Sequence, residues 1–190
     1  MRLTVFDFLH NFFEKHNLLT FKFFTGSAGS KNYILTDTVA EPSILFHKDI
    51  ELVEKGMLYF FNSNSLNLFS RLEKEDSKLL EENIKYIFEN YNPAIIILPE
   101  LVEPPNLLLR LCQYYHIPIV RISEQASILK KLLTIFLEDK FAPSITVHGD
   151  LVEVYGVGLL ITGESGIGKS EAALDLIKRG HRLISDDIVI

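Results

Sequence analysis

Residues 163–170 read Gly163-Glu164-Ser165-Gly166-Ile167-Gly168-Lys169-Ser170. A glycine, four residues and then Gly-Lys-Ser is the spacing of a loop that wraps a polyphosphate. Phosphate oxygens must meet several backbone N–H groups at once. The backbone therefore has to approach closely and turn without Cβ interference, which Gly163, Gly166 and Gly168 allow. A helix starting near Lys169 adds its free N-terminal N–H groups and its dipole at the same place. Lys169 is then a point charge for the β- and γ-phosphates, and the Ser170 hydroxyl can join a Mg²⁺ shell. An apolar segment, 156–162, precedes the loop and reads as a buried strand. A helical pattern with Ala173, Leu174 and Ile177 on one face follows it, and Gly180 is placed to stop that helix. A glycine-rich structural turn is the competing explanation, and it does not require these flanks.

Asp186 and Asp187 end a last apolar run, Arg182–Ser185. A carboxylate at the end of a strand beside such a loop can hold Mg²⁺ or activate a hydroxyl nucleophile. It can equally be a turn or cap residue. Only one helix separates Lys169 from Asp187, so the two strands are expected to be neighbours with both ends at one sheet edge, and this favours the functional role. His148 falls at the tip of a predicted hairpin, formed by alternating runs on either side of Gly149-Asp150. A lone histidine is usually a bystander. For His181, just after Gly180, a favourable charge at a helix C-terminus is explanation enough. No His/Cys cluster has zinc-ligand spacing. Cys112 is the one cysteine and lies beside the apolar stretch Leu107–Leu111, so a buried structural thiol is expected rather than a reactive nucleophile.

The elements that position these residues follow from hydrophobic spacing. Val5, Leu9, Phe12 and Phe13 lie at helical intervals within Val5–His16. A strand over Leu18–Thr25 then meets a Gly/Ser-rich turn, and short strands are expected at Tyr33–Leu35, Ile44–Phe46 and Met57–Phe61. An amphipathic helix covers Ser70–Asn90, its charges forming a solvated face. Strands at Ala94–Leu98 and Ile117–Ile122 alternate with helices at Pro105–His116 and Glu124–Lys140. Strands alternating with helices imply an α/β layer with a largely parallel sheet. A different kind of sequence begins near Ala142-Pro143. No internal repeat or low-complexity tract is present.

Of the 190 residues 47% are hydrophobic and 23% charged, ordinary for a globular protein of one large or two small domains. The net charge is −6, with no long block of like charge, so nucleic acid is disfavoured as a partner. No secretory signal is visible, and apolar runs such as Ala94–Leu98 are far short of the roughly 18 residues that span a bilayer. A soluble cytoplasmic protein without a membrane role is expected.

Taken together, residues 148–158 (opening His148-Gly149-Asp150), 163–171 and 179–187 resemble the signature of the bacterial HPr kinase/phosphorylase family. The likeness is dense from Ala142 to Ile190 and looser over 93–137. It implies an N-terminal α/β domain, 1–136, followed by an incomplete P-loop kinase domain of the PEP-carboxykinase-like kind, 137–190. The implied activity is bifunctional and regulates carbon metabolism. A serine of the phosphocarrier HPr is phosphorylated using ATP or pyrophosphate with Mg²⁺, and the group is removed by phosphorolysis with inorganic phosphate. Carried over to this sequence, Gly163–Ser170 bind nucleotide phosphates, Lys169 is catalytic and Ser170 is a Mg²⁺ ligand. Asp187 is the general base and, in reverse, the acid; Asp186 supports it; His148 matches an active-site histidine. A homohexamer is also implied.

Family members continue beyond the equivalent of Ile190, which stands three residues after Asp187. The chain is accordingly expected to be a truncated form with little kinase activity. The remainder of such a protein would carry a second Mg²⁺-binding carboxylate, an active-site arginine and HPr-contacting elements. Two alternatives share the loop. One is a different P-loop kinase or ATPase with a small-molecule substrate, and the other is a non-catalytic nucleotide-sensing module.

Overall fold

The computed structural model describes residues 2–16, 20–41 and 53–190. It divides into two compact units, Met1–Phe141 and Ala142–Ile190.

The first unit is built on β6 (Ile95–Leu98), four apolar residues that are all fully buried. A strand covered on both faces reads as a continuous hydrophobic run, because successive side chains point to opposite sides and neither side meets water. Ile96 and Leu98 pack with Tyr59, Phe61 and Ile119 on one face, and Ile95 and Ile97 pack with Leu58, Phe60, Val120 and Ile122 on the other. The sheet order is β2 (Phe21–Phe23), β7 (Ile119–Ile122), β6, β5 (Leu58–Phe60) and β4 (Val39–Ala40). β4 through β7 run parallel, and β2 lies antiparallel on β7. A separate short ladder joins β1 (Leu3–Thr4) to β3 (Tyr33–Ile34).

Helices cover both faces, as a parallel sheet requires. α1 (Val5–His16) contributes Val5, Phe8, Leu9 and Phe12 to one core, where α4 (Ala126–Phe141) adds Leu129, Leu133, Phe136 and Leu137. α2 (Ser63–Tyr91) and α3 (Asn106–Tyr114) cover the other face through Ile84, Ile87, Phe88, Leu108 and Leu111. Cys112 lies in that core, and burial pushes its thiol well above the usual range. This is the expected structural thiol.

The largely parallel α/β layer is as expected, and two details differ. α2 starts at Ser63 rather than Ser70, because Asn62 and Ser65 form a reciprocal capping box ahead of the hydrophobic repeat. It then breaks at Asp76, whose carboxylate accepts the Leu79 N–H at 2.9 Å and starts the second half. The strand expected at Ile44–Phe46 lies outside the described residues. Among the described residues no helix is long and apolar enough to cross a membrane.

The second unit is organised by one long strand, β8 (Val147–Val154). β9 (Val157–Thr162) pairs antiparallel along one edge of it, and β10 (Arg182–Ser185) and β11 (Ile188–Val189) pair antiparallel along the other. α5 (Lys169–Lys178) joins β9 to β10. It ends in a Schellman arrangement. The Gly180 N–H donates to Ile177 O at 2.9 Å and the His181 N–H to Leu176 O at 3.1 Å. His181 therefore has a structural place.

Three expectations are corrected here. The strand before the loop, expected to be buried, is exposed along most of β9, because the second unit sets a single helix, α5, against its strands and leaves Val157, Leu159 and Leu160 uncovered. The hairpin turn is not at Gly149-Asp150 but at Tyr155-Gly156, with φ of +50° and +80°, the backbone a two-residue turn needs. Gly149 is instead inside β8 because a Cβ there would sit 2.5 Å from Ile161 O, so close approach of β9 is what demands glycine. The strand leading into the loop and the strand leading to Asp187 are also not neighbours, since β8 lies between them.

Candidate active site

β9 delivers the chain to Thr162, residues 163–168 turn, and α5 begins at Lys169. Gly168 is the helix N-cap at φ +99°, a left-handed conformation that a Cβ disfavours, and it supplies no capping side chain. The first N–H groups of α5 thus have neither an intrahelical nor a capping acceptor from that residue. The Lys169 amine arches back over the loop and donates to the Glu164 carbonyl at 2.9 Å. Ser170 is exposed in the first helical turn. The loop can therefore offer an anion a cluster of backbone donors beside one ammonium group.

The other half of the site comes from β8 and the turn between β10 and β11. The β10 register slips between Leu183 and Ser185, and Asp187 takes φ +64°. Two bonds tie that residue to β8. Its N–H donates to Asp150 Oδ1 at 3.1 Å, and its carbonyl accepts the Gly149 N–H at 3.1 Å. Gly149 faces Thr162 across the opposite edge. Thr162 and Asp187 are then separated by two inter-strand spacings, about 10 Å. β9 and β10 are both antiparallel to β8, so the strand before the loop and the strand before Asp186 end at the same end of the sheet. His148, exposed and paired with Ile188, is at that end too.

Carboxylate oxygens of Asp150, Asp186 and Asp187 lie within 4.8 Å of one another. The Asp186 carboxyl is raised above the usual range, first by a hydrogen bond with Asp150 and then by the Asp187 charge. When both members of the Asp150–Asp186 pair are ionised neither has a proton to donate. Asp150 is 1% exposed, and its Oδ2 is then sealed from solvent with no hydrogen-bond partner.

Of the sequence-derived candidates, His148, Asp186, Asp187 and the start of the phosphate loop are thus gathered by β8. Asp150 is the residue that sequence reasoning missed. Its signal was a carboxylate within an otherwise β-prone run, and assigning Gly149-Asp150 to a turn explained that signal away.

Comparison with known proteins gives two family matches. The HPr Serine kinase N terminus model matches residues 8–137, and the HPr Serine kinase C-terminal domain model matches residues 139–190. An HPr kinase/phosphorylase of Bacillus velezensis is 36% identical over 165 residues, 87% of this chain and 52% of the relative. One from a Geobacillus species is 37% identical with the same coverage. The chain spans about half the length of the curated relatives it matches. Among solved structures, the CBS and DRTGG domains of the regulatory region of Clostridium perfringens pyrophosphatase, complexed with diadenosine tetraphosphate, cover 67% of this chain and 46% of that one. The TM-score is 0.41 at 8% identity. Two adjoining family matches over nearly the whole chain show that it belongs to the HPr serine kinase family.

Proposed function

We propose that this protein supplies the phosphate-binding loop and the seryl base of an HPr kinase/phosphorylase. It transfers a phosphoryl group from ATP or pyrophosphate to a serine of HPr and removes it with inorganic phosphate. The single observation that supports this best is the common dependence on β8. The strand that launches the Gly163–Ser170 loop and the turn that carries Asp187 flank the same residue, Gly149. A kinase needs donors for the phosphates on one side and a proton acceptor for the hydroxyl on the other, a few ångströms apart across the reacting group.

In the forward direction Gly163, Glu164, Ser165, Gly166, Ile167 and Gly168 hold the phosphates through their backbone, and Lys169 offsets charge on the β- and γ-oxygens. The Asp187 carboxylate orients the serine hydroxyl and takes its proton as the serine oxygen–phosphorus bond forms and the bond to the ADP oxygen breaks. In reverse, a phosphate oxygen attacks phosphoserine. Asp187 then returns the proton to the departing serine oxygen, and pyrophosphate is released. Asp186 supports Asp187, and His148 is a further polar group at the reacting end. The hard oxygen donors present fit Mg²⁺, since Ser170 exposes a hydroxyl and Asp150 Oδ2 lacks a partner. Bound with the nucleotide, Mg²⁺ would neutralise charge on the phosphate oxygens.

A division into domains 1–136 and 137–190 is supported by the two family matches. Cytoplasmic location, a homohexameric assembly and a role in carbon regulation belong to the same proposal. The test is single-turnover transfer from ATP with protein in excess over HPr, read by mass spectrometry, which detects even slow chemistry. Phosphoserine on HPr is expected, and its formation should be lost in Lys169→Ala. Transfer that is absent, or equal in that variant, refutes the proposal.

A further inference from the structure

Arg2, Lys31 and Lys55 stand around one cavity of about 270 Å³ in the first unit. Three separate segments deliver them. Arg2 precedes β1, Lys31 lies in the turn before β3, and Lys55 lies in the turn before β5. Backbone hydrogen bonds hold these segments in place. On either side of Lys31, the Val5 N–H donates to Asn32 O at 2.9 Å and the Phe6 N–H to Ser30 O at 3.0 Å. Next to Lys55, the Gly56 N–H donates to Tyr91 O and the Gly56 carbonyl accepts the Leu35 N–H, each at 3.1 Å. Gly56 has φ +70°, and a Cβ there would stand 2.7 Å from the Tyr33 carbonyl oxygen, so this wall requires glycine. The Arg2 guanidinium lies 6.0 Å from the centre of the Tyr33 ring, which restricts where it can point.

None of the side chains lining the cavity is acidic, and none of the three cations has an ion-pair partner among the described residues. Elsewhere in this acidic chain cations find partners, as Lys15 does in Asp139 and Lys85 in Glu81. Lys55 has one structural use. It shares the cavity with Asn92, the C-cap of α2, where a positive charge favours the helix end. That accounts for one cation and not for three.

We propose that this cavity binds a small polycarboxylate, a di- or tricarboxylate whose acid groups sit at separate ends of a short carbon chain. Cations on separate walls suit anionic groups that are themselves separated. Arg2 can hold one carboxylate through two parallel N–H bonds, and each lysine meets another as a point charge. Tyr33 and Leu35 are partly exposed and offer the carbon chain an apolar surface. A phosphate group suits the cavity less. Its concentrated charge calls for convergent N–H groups at a helix N-terminus, whereas the helix end here is the C-terminus of α2. The volume falls below the roughly 300–1,000 Å³ of pockets for drug-sized ligands, which points to a metabolite smaller than a nucleotide. Nothing in this depends on the kinase proposal, whose residues belong to the second unit.

Citrate titrated into the 190-residue protein at low salt, without Mg²⁺ or nucleotide, tests the site by calorimetry and by backbone amide resonances. One citrate per chain is expected, with shifts gathered in residues 31–35, 55–57 and 92. Lys31→Ala and Lys55→Ala change exposed side chains, so the fold should persist. Each should weaken binding about threefold and the double variant about tenfold. Lys131→Ala, exposed but outside the cavity lining, should leave it unchanged. Pyrophosphate at the same concentration should shift these segments less than citrate does. No citrate bound by the wild type, undiminished binding by the double variant, an equal loss in Lys131→Ala, or shifts centred elsewhere overturns the site. A larger shift of these segments with pyrophosphate overturns the assignment to carboxylates. None of these results bears on phosphoryl transfer to HPr, which is measured separately.

Discussion

Replacing Gly149 with alanine should disturb phosphate binding without altering any residue of the loop. The new Cβ would stand 2.5 Å from the Ile161 carbonyl oxygen and 3.2 Å from Thr162 Cγ2. Ordinary contact begins near 3.4 Å, so the end of β9 must retreat by roughly 0.9 Å, and the obstacle is backbone that cannot rotate away. Overpacking of this kind costs about 1–3 kcal/mol. The strand that moves is the one that launches the loop, so pyrophosphate affinity should fall about tenfold, equivalent to about 1.4 kcal/mol. Gly158→Ala is the control on the same strand pair, since its Cβ would meet only Leu151 Cδ1 at an ordinary 3.7 Å. Urea unfolding and calorimetric titration with pyrophosphate provide both readouts. Gly149→Ala matching Gly158→Ala in stability and affinity would refute the reasoning.

Phe136→Ala removes a fully buried ring packed edge-on against Phe12 at 5.3 Å, and it should lower unfolding stability by about 3–5 kcal/mol in urea titrations. A loss below about 1 kcal/mol would contradict the two-faced core. The buried Cys112 thiol, held protonated by its surroundings, should react with a thiol reagent only as fast as the protein unfolds; rapid stoichiometric labelling of the native state would contradict this. The raised Asp186 carboxyl binds its proton more readily folded than unfolded. Its stabilising contribution is complete below the ordinary carboxylate range and is lost as pH rises through the raised value. With EDTA present, the melting temperature of wild type relative to Asp186→Asn should therefore rise as pH falls from 7 toward 4, and a flat or opposite difference would contradict the Asp150–Asp186 contact.

Much of the fold was legible because its signals are local. Ile95–Leu98 can only be a strand buried on both faces once helical patterns flank it, and the Gly163–Ser170 loop carries its own flanks. Other features were hidden because they depend on residues distant in sequence. Gly149 looks like a turn residue until β9 is laid against it and Ile161 O occupies the space a Cβ would take. Asp150 looks like the second half of that turn until the Asp187 N–H arrives from 37 residues further on. The placement of β8 between β9 and β10 was equally invisible, since one connecting helix suits adjacent strands and strands one apart. The early start of α2 is different. Asn62 and Ser65 are a readable capping box, overlooked because the hydrophobic repeat becomes regular only later.

The most direct test of the central claim compares both directions of the reaction in Asp187→Asn. A group that takes the serine proton in one direction must return it in the other, and removing it cannot alter the overall equilibrium. Single-turnover phosphorylation of HPr from pyrophosphate and phosphorolysis of phosphoserine-HPr should therefore slow by the same factor, about 10²–10⁴-fold. Pyrophosphate binding should persist. Loss of one direction with the other intact, or full rates in both, would contradict the assignment of Asp187 as the seryl base.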